Sequence, residues 1–221
     1  MTELFKTFRS AIPASAKHGS ISAEVYLPVA PTAILTLGHG AGSNMDQPFL
    51  RQLSAALAAT NVATMRYNFL YSENRKKMPD RFPVAAEVIR AVIRFTREQY
   101  PEIPLFCGGK SFGGRMTSMT LADSSERDVR GIVFFGFPLH PAGSLSVERA
   151  AHLEKLALPM LFLQGSKDAL ATPELLKPII PTLKSATIIE FDGADHSFKG
   201  GKQTNVQALA SAASAWINKH T

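Results

Sequence analysis

The chain of 221 residues carries a single cysteine, Cys107. That excludes an internal disulfide and leaves no cysteine cluster for a structural metal; it fits a reducing compartment. Nor is there an uninterrupted apolar run near the roughly 18 residues that a membrane-crossing helix needs. The opening stretch, MTELFKTFRSAIPASAKHG, lacks the apolar core of about seven residues that marks a secretory leader. A cytoplasmic protein without membrane partners is therefore expected. Basic runs are scarce too: the longest is Arg75-Lys76-Lys77, although the net charge is +6. Dispersed charge of that size keeps copies of a protein apart in solution. With no nucleic-acid-binding motif beside it, it implies no phosphate-bearing partner. Repeats, low-complexity tracts and linkers are absent as well.

Hydrophobic residues make up 45% of the chain and charged residues 19%, the balance of a globular domain. Residues 1–221 are expected to form one domain, long enough to fold without disulfides or metals. Short β-branched apolar runs alternate with longer helical patterns, which implies βαβ units in a doubly wound, mostly parallel sheet. Lys6–Ala11 and Ser20–Leu27 read as an antiparallel hairpin turning near His18-Gly19. Buried strands follow at Ala33–Leu37, Val62–Arg66, Leu105–Gly108, Gly131–Phe135, Met160–Gln164 and Thr187–Phe191. Asp46 is placed to cap a helix with Pro48 in its first turn. Pro83 opens another, in which Val84, Val88, Ala91, Val92 and Phe95 form an apolar stripe. Its Arg90, Arg94 and Arg97 read as a solvated face, and Pro101 ends it. A helix is expected from about Gly113 to Ala122. After Thr172-Pro173 a short or broken one follows, because Pro178 and Pro181 interrupt it. The last, about Thr204–Lys219, turns Val206, Leu209, Ala213 and Trp216 to one side.

Between a strand and a helix stands Gly109-Lys110-Ser111-Phe112-Gly113, a G-x-S-x-G pattern. A serine at the tip of so tight a turn is held strained with its hydroxyl exposed, and the flanking residues must be tiny because two backbones nearly touch. The helix N-terminus behind it favours the negative charge of an attacking oxygen. A phosphate-binding loop is the competing reading, but G-x-x-x-x-G-K-[ST] fails because Pro104 stands where its first glycine belongs. Acyl transfer also needs amides that hold an oxyanion, each worth about 3 kcal/mol. Phe112, just after the serine, is one candidate. The loop Leu37-Gly38-His39-Gly40-Ala41-Gly42 after an early strand supplies the other, with Ala41 favoured and Gly40 next; the His39 side chain reads as structural.

The base should follow the last strand, where His196 stands in the next loop and His220 lies too near the end of the chain. Asp168, just beyond the strand before it, suits the acid that orients that base. Asp192 and Asp195 are nearer in sequence, but Asp195 adjoins His196 too closely for a well-aligned bond, and both can shape the turn. Arg66, Asn68, Lys110 and His140 are candidate substrate-binding residues, since ligands lie beyond the carboxyl ends of parallel strands. Arg66 has the alternative of bracing the elbow, and His140 of capping its strand. Residues 136–158 are too few for a lid domain, so an open site is expected.

With these residues placed, the chain resembles the dienelactone-hydrolase-like group of α/β-hydrolases, which includes testis-expressed and NSL-chromatin-complex hydrolase-like proteins. The matching pieces are LTLGHGAGSNMD, RYNFLYSENRKKMPDRFP, FCGGKSFGGRM, FFGFPLHPAG, MLFLQGSKDAL and DGADHSFK. The resemblance implies an α/β-hydrolase fold with an eight-strand-type sheet, a Ser111–Asp168–His196 triad and no cofactor. A departure stands at Asp168-Ala169-Leu170, where relatives often carry Asp-Pro, which predicts a looser turn. Some relatives act as complex subunits. Three functions therefore remain open: hydrolysis of a small ester, lactone or thioester, acyl transfer to another acceptor, and a non-catalytic scaffold.

Overall fold

A computed structural model describes residues 4–15, 17–123, 128–200 and 206–221. The chain opens with β1 (Phe5–Ser15) and β2 (Gly19–Pro28), paired antiparallel from Phe5↔Pro28 to Ser15↔Gly19. Both strands outrun the apolar alternation because pairing continues through polar positions; Arg9 Nε donates to Glu24 across the hairpin at 3.0 Å. Then come β3 (Ala33–Gly38), α1 (Pro48–Ala58), β4 (Val62–Tyr67), α2 (Leu70–Glu73) and α3 (Phe82–Gln99). These lead to β5 (Leu105–Lys110), α4 (Phe112–Ala122) and β6 (Val129–Phe135). A 3-10 helix at Glu148–Lys155 precedes β7 (Met160–Gly165) and α5 (Pro173–Leu176), and a 3-10 turn at Ile180–Thr182 precedes β8 (Ala186–Phe191) and α6 (Val206–Ile217).

The strands form one eight-stranded sheet in the order β1-β2-β4-β3-β5-β6-β7-β8. The hairpin joins β4 antiparallel, and β3 to β8 run parallel. Burial on both faces explains why β3, β4 and β7 are mostly apolar, with Thr36, Thr64, Arg66 and Gln164 as their buried polar members. Successive side chains still alternate between two cores. Ile34, Cys107, Phe134 and Phe162 pack towards α3 and α4. Leu35, Phe106, Val133 and Leu161 pack towards α1 and α6. Trp216 closes the second core with its ring edge-on to Phe106, centroids 6.0 Å apart.

Two local expectations change. The cap of α1 is Gln47, whose side-chain oxygen accepts from Leu50 N–H at 3.3 Å. Asp46 is drawn away to Arg9 of the hairpin, at 2.8 Å. On α3, Arg90 pairs with Asp123 and Arg97 donates to the carbonyls of Ile103 and Asp128, so two of the three arginines tie the helix to neighbouring loops. The expected start of the last helix, at about Thr204, lies outside the described residues. Between β6 and β7, residues 136–159 carry a single 3-10 helix and no lid domain. Among the described residues no helix is long and apolar enough to cross a membrane.

Candidate active site

The elbow joins β5 to α4, and its geometry follows from its glycines. A Cβ on Gly113 would stand 2.3 Å from the Gly38 carbonyl oxygen, and one on Gly109 would stand 2.6 Å from the same atom. Only hydrogen lets β3, β5 and α4 approach so closely. Ser111 itself sits at φ 51, ψ −113, a left-handed conformation that a non-glycine residue holds only when the surroundings impose it. The hydroxyl is thereby lifted to the carboxyl edge of the sheet, at the N-terminus of α4.

Two loops meet it there. His196 follows β8, and its Nε2 lies 2.8 Å from Ser111 Oγ. Its Nδ1 lies 2.7 Å from Oδ2 of Asp168, which follows β7 and whose side chain is fully buried. Asp168 also accepts from Leu170 N–H at 2.8 Å and from the Gln164 amide. With both carboxylate oxygens occupied, it holds the imidazole with the proton on Nδ1 and the Nε2 lone pair towards the serine. In the turn where relatives often carry Asp-Pro, Ala171 N–H donates to the Asp168 carbonyl at 3.1 Å. Gly165 lets the acid and histidine loops touch, since a Cβ there would stand 2.3 Å from the Ala194 oxygen. Asp195 accepts from Ser197 and Lys199 N–H, and Asp192 accepts from the Ser166 hydroxyl. Both shape turns.

The loop after β3 forms the opposite wall. His39 is fully buried; its Nε2 accepts Phe69 N–H at 3.1 Å, so its proton lies on Nδ1, which donates to the Gly40 carbonyl at 2.9 Å. Burial lowers its pKa to about 4, which keeps it neutral. The Tyr71 hydroxyl donates to the same carbonyl at 2.9 Å. Because carbonyl and N–H point opposite ways in a trans peptide, this anchoring turns the Ala41 N–H away from Tyr71. Phe112 begins α4, where backbone N–H groups have no intrahelical acceptor.

A cavity of about 670 Å³ opens over these groups, lined by Gly40, Ala41, Lys110, Ser111 and His196. Its farther wall comes from α1 (Gln47, Pro48, Phe49, Gln52), from Leu170 and Phe198, and from α6 (Val206, Leu209). Of the expected substrate-binding residues, Lys110 is in this lining and Arg66, Asn68 and His140 are outside it. Arg66 is buried, paired with Glu24 and bonded to the Met45 carbonyl, with its guanidinium 4.8 Å from the Tyr26 ring. Asn68 accepts from Met45 N–H at 2.7 Å and donates to Glu73 at 3.0 Å. His140 is buried, accepting Thr172 N–H at 3.1 Å and donating to the Pro141 carbonyl at 2.9 Å. All three brace loops behind the site. Tyr71 as the anchor of Gly40, and the wall from α1 and α6, carry no local motif by which the sequence could have shown them. Among the described residues no three His, Cys, Asp or Glu side chains gather as a metal site.

The chain belongs to the alpha/beta hydrolase domain family, which matches residues 31–219. The β1–β2 hairpin precedes that match. Solved structures extend the likeness over the hairpin as well. A dienelactone hydrolase from Anabaena variabilis superposes with a TM-score of 0.80 at 18% identity, covering 99% of this chain and 99% of that one. A serine hydrolase without a lid from Xanthomonas campestris gives 0.75 at 20% identity, over 97% and 94%. Est1E from Butyrivibrio proteoclasticus, solved with ferulic acid bound, gives 0.75 at 14% identity, over 96% and 98%. The fold is thus that of dienelactone-hydrolase-like α/β-hydrolases, with an antiparallel N-terminal hairpin.

Proposed function

We propose that the protein is a serine esterase that cleaves a small carboxylic ester, lactone or thioester through an acyl-enzyme on Ser111. The observation that carries this reading is the continuous chain Ser111 Oγ–His196 Nε2–His196 Nδ1–Asp168 Oδ2, with distances of 2.8 and 2.7 Å, beneath an open cavity. His196 takes the serine proton as Ser111 Oγ attacks the carbonyl carbon, a step worth roughly 10²–10⁴-fold. The carbonyl oxygen gains the charge. On this reading the Phe112 and Ala41 amides receive it, about 3 kcal/mol each. The imidazolium, steadied by Asp168, protonates the leaving group. Water then gives its proton to His196 and attacks the acyl carbon, and collapse releases the acid and Ser111.

The absence of a lid between β6 and β7 fits small soluble substrates. Phe49, Leu170 and Leu209 in the far wall fit an apolar acyl or alcohol group, with Lys199 also in the lining. The test is labelling by a fluorophosphonate followed by peptide mapping. An adduct on Ser111, lost in Ser111→Ala and in heat-unfolded protein, is expected; an unlabelled native protein would refute the reading. A panel of short-chain, aryl, lactone and thioester substrates then identifies the preferred bond.

A further inference from the structure

Lys110 is the residue before the nucleophile and the last of β5, yet its side chain serves another loop. Its Nζ donates to the backbone carbonyl of His196, 86 residues along the chain. The ammonium lies 5.4 Å from the centroid of the Phe198 ring. Beneath it is Gly136, at φ +74, where a Cβ would stand 3.0 Å from Nζ and 3.5 Å from the His196 ring. A side chain at 136 would therefore crowd Nζ and sit in contact with the His196 ring, and glycine there leaves room for their meeting. The ionisable groups facing Nζ are the carboxylates of Asp168 and Asp195, with the His196 ring beside it.

We propose that Lys110 is a positioning residue that clamps the histidine-bearing loop to the nucleophile elbow, fixing the approach of His196 Nε2 to Ser111 Oγ. This rests on the assignment of Ser111 and His196 as nucleophile and base. The physical reason is the shortness of the circuit. Ser111 follows β5 and His196 follows β8, with β6 and β7 between those strands in the sheet. The ring bond to Asp168 sets how the imidazole is turned, whereas the backbone carbonyl sets where the residue stands. Lys110 reaches that carbonyl from the peptide unit adjoining Ser111, so nucleophile and base share one rigid link. An ammonium donor makes this a charge-assisted bond, shorter and stronger than an amide donor would provide. Burial lowers the Lys110 pKa to about 8, opposed by Asp168 and Asp195, so the clamp weakens by proton loss just above neutrality.

The experiment measures the rate of Ser111 phosphonylation by a fluorophosphonate from roughly pH 6 to 10, which needs no knowledge of the natural substrate. In the unaltered protein the rate should bend downward near pH 8, where Lys110 loses its proton. Lys110→Met should unfold no sooner, react roughly tenfold more slowly at pH 7, and show no bend. Lys110→Cys, alkylated with bromoethylamine to rebuild an ammonium and verified by mass, should recover the rate and the bend. A Lys110→Met rate within about twofold of the unaltered protein, a bend that persists in it, or no recovery after alkylation would each overturn the proposal. An unaltered protein that is not labelled on Ser111 would instead sink the nucleophile assignment, which keeps the two failures apart.

Discussion

Replacing Lys110 by methionine should make the protein more stable while slowing its chemistry, and the size of the effect follows from where the ammonium sits. Desolvation lowers the lysine pKa from 10.5 to about 8 despite Asp168 and Asp195. That drop corresponds to about 3 kcal/mol that the folded state forgoes at pH 7 by burying the charge. Methionine fills a similar path with an unbranched apolar chain, but it leaves the His196 carbonyl without its donor, a loss of about 1 kcal/mol. The net gain is about 2 kcal/mol, or roughly 4–8 °C in Tm for a chain of this size. The sign reverses with pH. A lysine whose folded pKa is depressed burdens the native state fully below about 8. As pH rises from there towards 10.5 the unfolded chain binds more protons, so the unaltered protein gains stability. Thermal unfolding followed by circular dichroism at several pH values measures both effects. The Lys110→Met advantage should be constant below pH 8 and shrink above it. Equal or lower Tm at pH 7, or a difference indifferent to pH across that window, would refute the reasoning.

Three further substitutions probe the frame around the site. Gly113→Ala places a Cβ 2.3 Å from the Gly38 carbonyl oxygen, backbone against backbone; a loss of about 3 kcal/mol in urea unfolding is expected, with labelling of Ser111 abolished or nearly so. Tyr71→Phe removes the hydroxyl that anchors the Gly40 carbonyl. Stability should fall by about 1 kcal/mol, and kcat for an aryl ester by roughly tenfold with KM little changed, since the oxyanion amide acts mainly in the transition state. Arg66→Met strips the buried partner of Glu24, which keeps Arg9 on its outer side. Unfolding should come about 2–3 kcal/mol sooner. KM for esters, charged or neutral, should stay unchanged in the folded variant, and a rise confined to anionic esters would return Arg66 to the binding site.

The parts of the molecule that the chain discloses are those in which cause and signal are local. Two-face burial makes β3, β4 and β7 mostly apolar, so their existence is legible even where their ends are not. The elbow is legible because the steric demand and the residues that meet it, Gly109 and Gly113, lie within five positions of one another. Order along the chain then nominates Asp168 and His196 as partners for Ser111, and strand order brings the three side chains together. Charged residues at strand ends offer no such constraint. Arg66 and Lys110 both lie near the carboxyl ends of parallel strands, and nothing nearby in sequence separates a side chain that turns into the cavity from one that turns under it. The difference is made at a distance. Glu24 on the hairpin, reaching β4 from the far side, draws Arg66 inward. Gly136 at the end of β6 leaves a space into which Lys110 extends. The same holds for Asp46, which pairs with Arg9 of the hairpin while Gln47 caps α1. Residue type and spacing thus nominate the chemistry, whereas the partner from another element decides whether a charge serves the reaction or the scaffold.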